Sequence, residues 1–514
     1  MPKQIIWIDD EIDLLKPHVL FLEKKDYTIS TINNASDGID MIKAKHFDAV
    51  LLDENMPGIG GLEALQLIKN LKPNLPIIMI TKNEEEQIME EAIGSQIADY
   101  ILKPVNPNQI LLSLKKVLTS DKLVEEKTLQ NYQQEFRQIS MDLMNVNSYQ
   151  EWVILYKKLV KWSLRLDKTE DENMLSILET QKEEANKLFS KFIEKNYENW
   201  LHSNDKPILS NILFKDEVKP HLGKDKKVLL LMIDNLRYDQ WKVIEPLVAK
   251  YYKHITEKQY FSILPSATQY ARNSFFSGLM PLEMEQKFPQ YWLNDNDEGN
   301  KNQFEHQFLL EQLKKLGLSD ISEKYYKILN SDFERKIYDE FGKDKNTNLI
   351  TIVYNFIDIL SHAKTDNTIV NELIRDEKTY RSLTYNWFEN SSILKLIKTA
   401  SEEGFKLIIT TDHGTCFVRT PSKVIADKET STNLRYKLGK NLQFENKDVL
   451  SINDPERYFL PKVNMSSKYI FAKNDVFFAY PKNYHHFVNY YKDTLQHGGI
   501  SLEELICPFV ILEN

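Results

Sequence analysis

Over the first 120 residues, short apolar runs that end in acidic or polar residues alternate with amphipathic stretches. Ile5–Ile8, Ala49–Leu52, Ile77–Ile80 and Tyr100–Leu102 read as buried parallel strands, since each is a brief apolar run with charged or polar residues at its C-terminal end. Strands alternating with helices predict a doubly wound sheet whose ligands sit outside the carboxyl ends of the strands. From 121 to 205 the strand signals stop. Leu, Lys, Glu, Gln and aromatics recur there at helical spacing (Tyr149, Trp152, Tyr156, Leu159, then Leu188 and Phe192), which predicts an α-helical bundle or linker. From 206 to 514 strands return at Val228–Ile233, Leu349–Ile357, Phe405–Thr410, Val476–Ala479 and Pro508–Leu512. Two polar or irregular stretches, 285–305 and 428–465, are expected as insertions or surface loops. The pattern describes an α/β multidomain chain divided at 1–120, 121–205 and 206–514, without internal repeats or long low-complexity segments.

Composition narrows the function classes. At 514 residues the chain exceeds one ordinary core, and 42% hydrophobic with 27% charged residues is a globular balance. A formal net charge of −9 argues against sequence-blind nucleic-acid binding, which relies on a basic surface. The two cysteines, Cys416 and Cys507, do not make a disulfide framework and suit a reducing compartment. No signal-peptide-like stretch follows Met1, and no apolar run reaches the roughly 20 residues needed to cross a bilayer. The expectation is a soluble cytoplasmic protein without membrane attachment.

Two constellations carry chemistry. In the first, Asp9 and Asp10 end one strand, Asp53 ends another, Thr81 a third, and Lys103 lies in ILKP. Three carboxylates at neighbouring strand ends form a hard-oxygen pocket suited to Mg²⁺. Asp53 can attack a phosphoryl donor to form an acyl phosphate, and Thr81 and Lys103 can hydrogen-bond and neutralise the new oxygens. The order DD…D-x-x-MPG…T…KP resembles the response-regulator receiver domain, with a flavodoxin-like fold, over residues 1–120. That resemblance implies Asp53 as the phosphoacceptor. It also implies Mg²⁺ held by Asp10, Asp53 and the Asn55 carbonyl with Asp9 nearby, and Tyr100 as the switch aromatic.

In the second, Asp234 (VLLLMIDN), Thr268 (LPSATQ), Asp358 and His362 (FIDILSH), Asp412 and His413 (LIITTDHG) and His497 (QHGG) fall at or beyond strand ends. They sort into two sets of carboxylate and imidazole with one hydroxyl between them, which suits a two-metal phosphoryl-transfer site. Asp358 and His362 are four residues apart and face one way on a helical turn. The set resembles the alkaline-phosphatase superfamily, in particular its PglZ-like and nucleotide pyrophosphatase/phosphodiesterase branches. The resemblance implies one zinc on Asp234, Thr268, Asp412 and His413 and a second on Asp358, His362 and His497. Thr268 is then the nucleophile, passing through a phospho-threonine. Arg237, Arg272 and Asn273 are candidates for binding the phosphoryl oxygens. The sulfatase signature Cys/Ser-x-Pro-x-Arg is absent around Thr268, which disfavours sulfate esters. His485 and His486, without a partner carboxylate motif, read as structural.

A receiver, a helical segment and a PglZ-like domain in this order resemble the PorX family of Bacteroidota response regulators. The resemblance implies a PorY-type sensor histidine kinase as partner, a role in type IX secretion, and zinc-dependent phosphodiesterase activity on phosphate esters such as cyclic or linear oligonucleotides. Phosphorylation of Asp53 is expected to drive homodimerisation. A signalling adaptor that binds a sigma factor around a structural zinc site is the competing class; a purely structural site, however, gains nothing from Thr268. Sequence-specific DNA binding is not expected, because the output region is large, strand-rich and part of an acidic chain.

Overall fold

The computed structural model describes residues 2–73, 75–82, 97–169, 171–427 and 430–514, without the side chains of 119–127 and 331. It divides into two compact units, Met1–Tyr132 and Gln133–Asn514. The helix Pro107–Asn145 starts in the first unit and ends in the second, so the boundary expected at 120/121 lies inside one helix.

In the first unit, β1 (Lys3–Ile8), β2 (Tyr27–Ile32), β3 (Ala49–Asp53), β4 (Ile77–Thr81) and β5 (Asp99–Leu102) form a parallel sheet in the order β2-β1-β3-β4-β5. This is the flavodoxin-like doubly wound order. Successive side chains enter opposite layers: Ile6, Ile8, Val50 and Leu52 join one core, while Ile5, Trp7, Ala49 and Leu51 join the other. Burial on both faces explains why β1, β3 and β4 read as unbroken apolar runs. The edge strand β2 was not anticipated, because its sequence YTISTI is only partly buried and mixes polar with apolar residues.

In the second unit the helices Tyr149–Leu166 and Glu172–His202 pack together. Ser148 and Glu151 form a capping box on the first, and Asp171 caps the second. Their buried faces include Trp152, Tyr156 and Leu159 opposite Phe189 and Ile193, with the Trp152 and Phe189 rings 5.2 Å apart. The second helix also docks on the α/β body, where Asn186 accepts from the Leu502 amide (2.8 Å) and the Ser190 hydroxyl donates to Asn474 (2.8 Å).

That body is built on β6 (Val228–Ile233), β7 (His254–Phe261), β8 (Glu323–Ile328), β9 (Leu349–Tyr354), β10 (Lys406–Thr410) and β18 (Ile506–Glu513), ordered β7-β18-β10-β6-β9-β8. β10, β6, β9 and β8 run parallel; β18 is antiparallel to both its neighbours. Shorter pairs complete it: β11 (Cys416–Val418) with β17 (Thr494–Gln496), and β12 (Thr420–Lys423) with β16 (Val476–Ala479).

Two expectations need correction. The strand predicted at Leu349–Ile357 ends at Tyr354, and the helix Phe356–Asp366 begins two residues later, with Phe356 stacked on Trp387 at 4.0 Å. The apolar run continues through the junction because both sides of it are buried, so hydrophobicity alone does not mark the break. The stretch 428–465 holds two strands, β13 (Tyr436–Gly439) and β14 (Val449–Ile452), which pair with β15 (Lys468–Ala472) in an antiparallel sheet. Four-residue strands of mixed polarity carry too little periodicity to stand out. No described helix is long and apolar enough to cross a membrane.

Candidate active site

In the first unit, Asp9 and Asp53 are buried and Asp10 is exposed, and carboxylate oxygens of all three lie within 4.8 Å of one another. The Lys103 ammonium sits 2.8 Å from Asp53 and 3.1 Å from Asp9. Burial pushes the Asp53 carboxyl up to about 6, with Asp9 adding to the rise and Lys103 opposing it. The crowded acids therefore lack full compensation by Lys103, which suits a divalent cation with oxygen ligands. Asn55 lies exposed in the turn beyond β3. The Thr81 hydroxyl donates to the Glu54 carboxylate, a partner that sequence reasoning missed because Glu54 merely follows Asp53. Tyr100, on β5, is 40% exposed, so its ring lies outward of the core.

In the second unit the parallel strands β10, β6 and β9 are sheet neighbours, and the segments beyond their carboxyl ends supply Asp412 and His413, Asp234, and Asp358 with His362. Thr268 is the first residue of the helix Thr268–Ser277, and His497 follows β17. Six of the seven residues fall into two groups, with Thr268 as the seventh. Asp234, Asp412 and His413 offer ligand atoms within 4.8 Å of one another, as do Asp358, His362 and His497. The His413 and His497 rings stack at 4.2 Å.

The Thr268 hydroxyl lies 3.0 Å from His413 Nε2 and 3.4 Å from Asp234 Oδ1. His413 Nδ1 is 3.0 Å from the Gly414 carbonyl and must donate to it, which leaves Nε2 as the lone pair facing Thr268. Asp412 Oδ1 accepts from the amides of Asn235 (3.2 Å) and His413 (3.0 Å), while Oδ2 is buried without a hydrogen-bond partner. Burial pushes Asp234 up to about 6, with Arg272 pulling down and Asp412 pushing up. Asp358 is raised well above the carboxylate range, by burial and then by Asp234 and Asp412. Burial lowers His413 and, with its neighbouring imidazoles, lowers His497 further. An orphaned carboxylate oxygen, neutral imidazoles with a free lone pair and carboxylates that destabilise one another, with Arg272 as a partial counter-charge, form a donor set suited to metal cations. Mixed nitrogen and oxygen donors of this kind fit zinc.

Among the three arginine and asparagine candidates, the structure brings Arg272 to this cluster. Its Nη1 donates to Asp234 (2.6 Å) and its Nε to Glu305 (2.6 Å), and Glu305 also pairs with Lys327. Arg237 is instead held by Asp239 and Glu377, and Asn273 donates to the carbonyls of Gln269 and Lys301. His486 stacks on Tyr490 in the helix Tyr484–Tyr491 and belongs to neither ligand group.

Several residues escaped sequence reasoning. Asn235 spans both groups: its amide donates to Asp412, and its side chain donates to Ser361 (3.0 Å) and, at 3.4 Å, to Asp358. Its backbone has φ +65°, a conformation Asn tolerates better than most residues, so the Asp-Asn pair after a strand was the available signal. Asn235→Ala is expected to cost about 1–3 kcal/mol through backbone strain and lost hydrogen bonds. Denaturant unfolding checks this, and Asn235→Gly should recover part of the loss. Gln269, Asp295 and Tyr436 line a cleft of about 470 Å³ together with His362 and His497; their sequence separation left no local motif.

Comparison with known proteins agrees with this architecture. Residues 5–115 match the response regulator receiver domain, 122–201 the PorX response regulator linker domain, and 213–512 the BREX system PglZ alkaline phosphatase-like domain. The chain is similar to the transcriptional regulatory protein ResD of Bacillus subtilis, 32% identical over 115 residues, which cover 22% of this chain and 48% of ResD. It is also similar to the transcriptional regulatory protein ZraR of Klebsiella oxytoca, 29% identical over 121 residues, covering 24% and 27%. The chain thus spans about half or less of the length of these curated relatives. A CheY-like response regulator receiver domain protein from Methanospirillum hungatei aligns at 28% identity and a TM-score of 0.23, covering 23% of this chain and 96% of that one. With more than half of its length matched by that third domain, the chain belongs to the PglZ alkaline phosphatase-like family, in the PorX-type architecture of receiver, linker and PglZ domain.

Proposed function

We propose that the chain is a two-component response regulator whose output is a zinc-dependent phosphodiesterase or phosphatase, switched on by phosphorylation of Asp53 and by dimerisation. The observation that carries the enzymatic reading is the Thr268 hydroxyl, 3.0 Å from His413 Nε2 and in reach of Asp234. A site built only to hold metal has no use for it. Asp234, Thr268, Asp412 and His413 would hold one zinc ion and Asp358, His362 and His497 a second, and the pair would supply Lewis-acid stabilisation of the reacting oxygens. Thr268 Oγ, its proton lost to solvent, forms a bond to phosphorus as the ester P–O bond breaks and the departing alkoxide takes up a proton; water then attacks phosphorus, breaking the Oγ–P bond and restoring the hydroxyl as the phosphate product leaves. Thr268 is the first residue of its helix, so the positive end of the helix dipole lies beside the developing negative charge. Arg272 orients Asp234 from behind, and Asn235 holds Asp412 and Asp358 in register.

In the receiver, Asp9, Asp10, Asp53 and the Asn55 carbonyl suit Mg²⁺. A phosphoryl group on Asp53 adds about −1.5 to −2 charge. Thr81 would exchange Glu54 for a phosphoryl oxygen, Lys103 already faces Asp53, and Tyr100 turns inward. A PorY-type sensor kinase acts upstream in this proposal, type IX secretion lies downstream, and oligonucleotide-like phosphate esters are among the substrates, in the cytoplasm.

Metal analysis with a phosphate-ester panel, with and without beryllofluoride, tests the proposal. We expect two zinc ions per chain and hydrolysis of bis-(p-nitrophenyl) phosphate that falls by about a hundredfold or more on chelation and returns with zinc. Light scattering should show a dimer after beryllofluoride. Hydrolysis indifferent to chelation would overturn the metal-dependent reading, and a zinc-loaded protein inert to the whole panel would favour the adaptor.

A further inference from the structure

A cleft of about 550 Å³ opens beside the C-terminal end of the helix Tyr149–Leu166, between the helices Tyr238–Val248 and Glu377–Asn390. Leu164, Val243, Pro246 and Tyr385 give it an apolar and aromatic lining. Among the described residues, its walls also carry five cationic side chains (Arg165, Lys168, Lys242, Lys378 and Arg381) against the single carboxylate of Asp167. This local excess of positive charge sits on a chain whose formal net charge is −9.

The carboxylates nearby leave much of this charge unmatched. Asp167 is engaged by Arg381 through Nη2 at 2.7 Å and Nε at 3.1 Å. Lys242 is paired with Glu245 and Glu257. Arg165, Lys168 and Lys378 are exposed and form no ion pair among the described residues, and the Arg165 guanidinium lies 5.2 Å from the Trp162 ring centroid. Exposed cations around one concavity repel each other mutually, and a multiply charged anion relieves that repulsion at every contact. Lys and Arg are the side chains suited to phosphate oxygens. The volume falls within the roughly 300–1,000 Å³ of small-molecule sites, and the Tyr385 ring with its apolar neighbours suits a flat aromatic group.

We propose that this cleft is a binding site for a nucleoside polyphosphate, its phosphates held by Arg165, Lys168 and Lys378 and its base seated against Tyr385, Val243 and Pro246. None of the residues of the two metal-competent groups lines it, so the ligand is bound rather than hydrolysed there. The floor residue Arg381 donates through Nη1 to Asp239 (2.7 Å), which also receives Arg237 from the segment that follows Asp234 and Asn235. The occupant is therefore placed to act on the hydrolytic unit from outside its active site.

Calorimetric titration of the full-length Thr268→Ala protein, freed of metal by chelation, tests the site independently of any hydrolysis. ATP is expected to bind at one equivalent, with affinity falling as salt is raised. Pyrophosphate should bind about tenfold or more weakly than ATP, and adenosine should not saturate. In the same background, Lys168→Ala with Lys378→Ala should weaken ATP about tenfold or more while leaving the melting temperature unchanged, as both lysines are exposed. No saturable ATP binding, or binding that survives the double substitution, would overturn the site. Equal affinities for pyrophosphate and ATP would overturn the nucleotide assignment.

Discussion

Thr268→Ala is expected to reduce turnover of bis-(p-nitrophenyl) phosphate by about a thousandfold or more while leaving zinc content nearly unchanged. The substitution removes the hydroxyl and one methyl group and leaves the buried Asp234, Asp412 and His413 in place. Because the hydroxyl is consumed in bond formation, the loss should fall on kcat and kcat/KM together, with KM little altered. Thr268→Ser keeps the hydroxyl and should retain most of the activity. A Thr268→Ala protein that hydrolyses the diester at the wild-type rate, with metal confirmed in the same sample, would exclude Thr268 as the nucleophile. Retained metal content without activity would separate catalysis from assembly of the site.

Glu504→Gln should strongly destabilise the second unit, by about 3–5 kcal/mol, with a fall in melting temperature of about 4–6 °C. Arg435 and Glu504 are both fully buried, joined by Nη2 to Oε2 at 2.6 Å and Nε to Oε1 at 3.2 Å. Glu504 Oε1 also accepts the Gly499 amide at 2.9 Å. Gly498, between Gly499 and His497, has φ +116° and donates its amide to Ser266 at 3.2 Å. The buried pair thus anchors the turn that carries His497. Neutralising Glu504 leaves the guanidinium uncompensated in a low-dielectric interior and loosens that turn. Zinc content should therefore fall along with stability. A variant that melts within about 2 °C of wild type would show that the pair contributes little, whereas joint replacement of both residues by apolar side chains of similar volume should recover part of the loss.

Legibility followed the range of the interactions involved. β3, β4 and β6 announced themselves because they are buried along their whole length, and uninterrupted apolar runs of that length have few alternatives. The half-exposed β2 and the short strands of the 428–465 stretch did not, since their identity depends on neighbours supplied from elsewhere in the chain. Asp234, Asp358 and Asp412 could be singled out because each follows a strand closely enough for the chain itself to place it. Arg237 and Arg272 looked alike in sequence. Arg237 lies among Asp239 and Glu377, and Arg272 reaches Asp234 and Glu305, a sorting that depends on how two helices lie against the sheet.

By itself, then, the order of residues determined the doubly wound N-terminal sheet, the helical segment, the strand-rich C-terminal region and the residue types able to bind metal and attack phosphorus. Those follow from burial periodicity and from chemistry at strand ends, which are local. Only the tertiary structure decided which carboxylate faces which imidazole, that Asn235 reaches both groups, that Glu54 engages Thr81 and that Arg435 and Glu504 brace the His497 turn. These pairings join residues that are distant in sequence or set by a backbone turn. Parallel strands bring the carboxyl ends that carry Asp234, Asp358 and Asp412 together, while antiparallel segments supply His497, Arg435 and Glu504, and no single stretch of sequence carries that geometry.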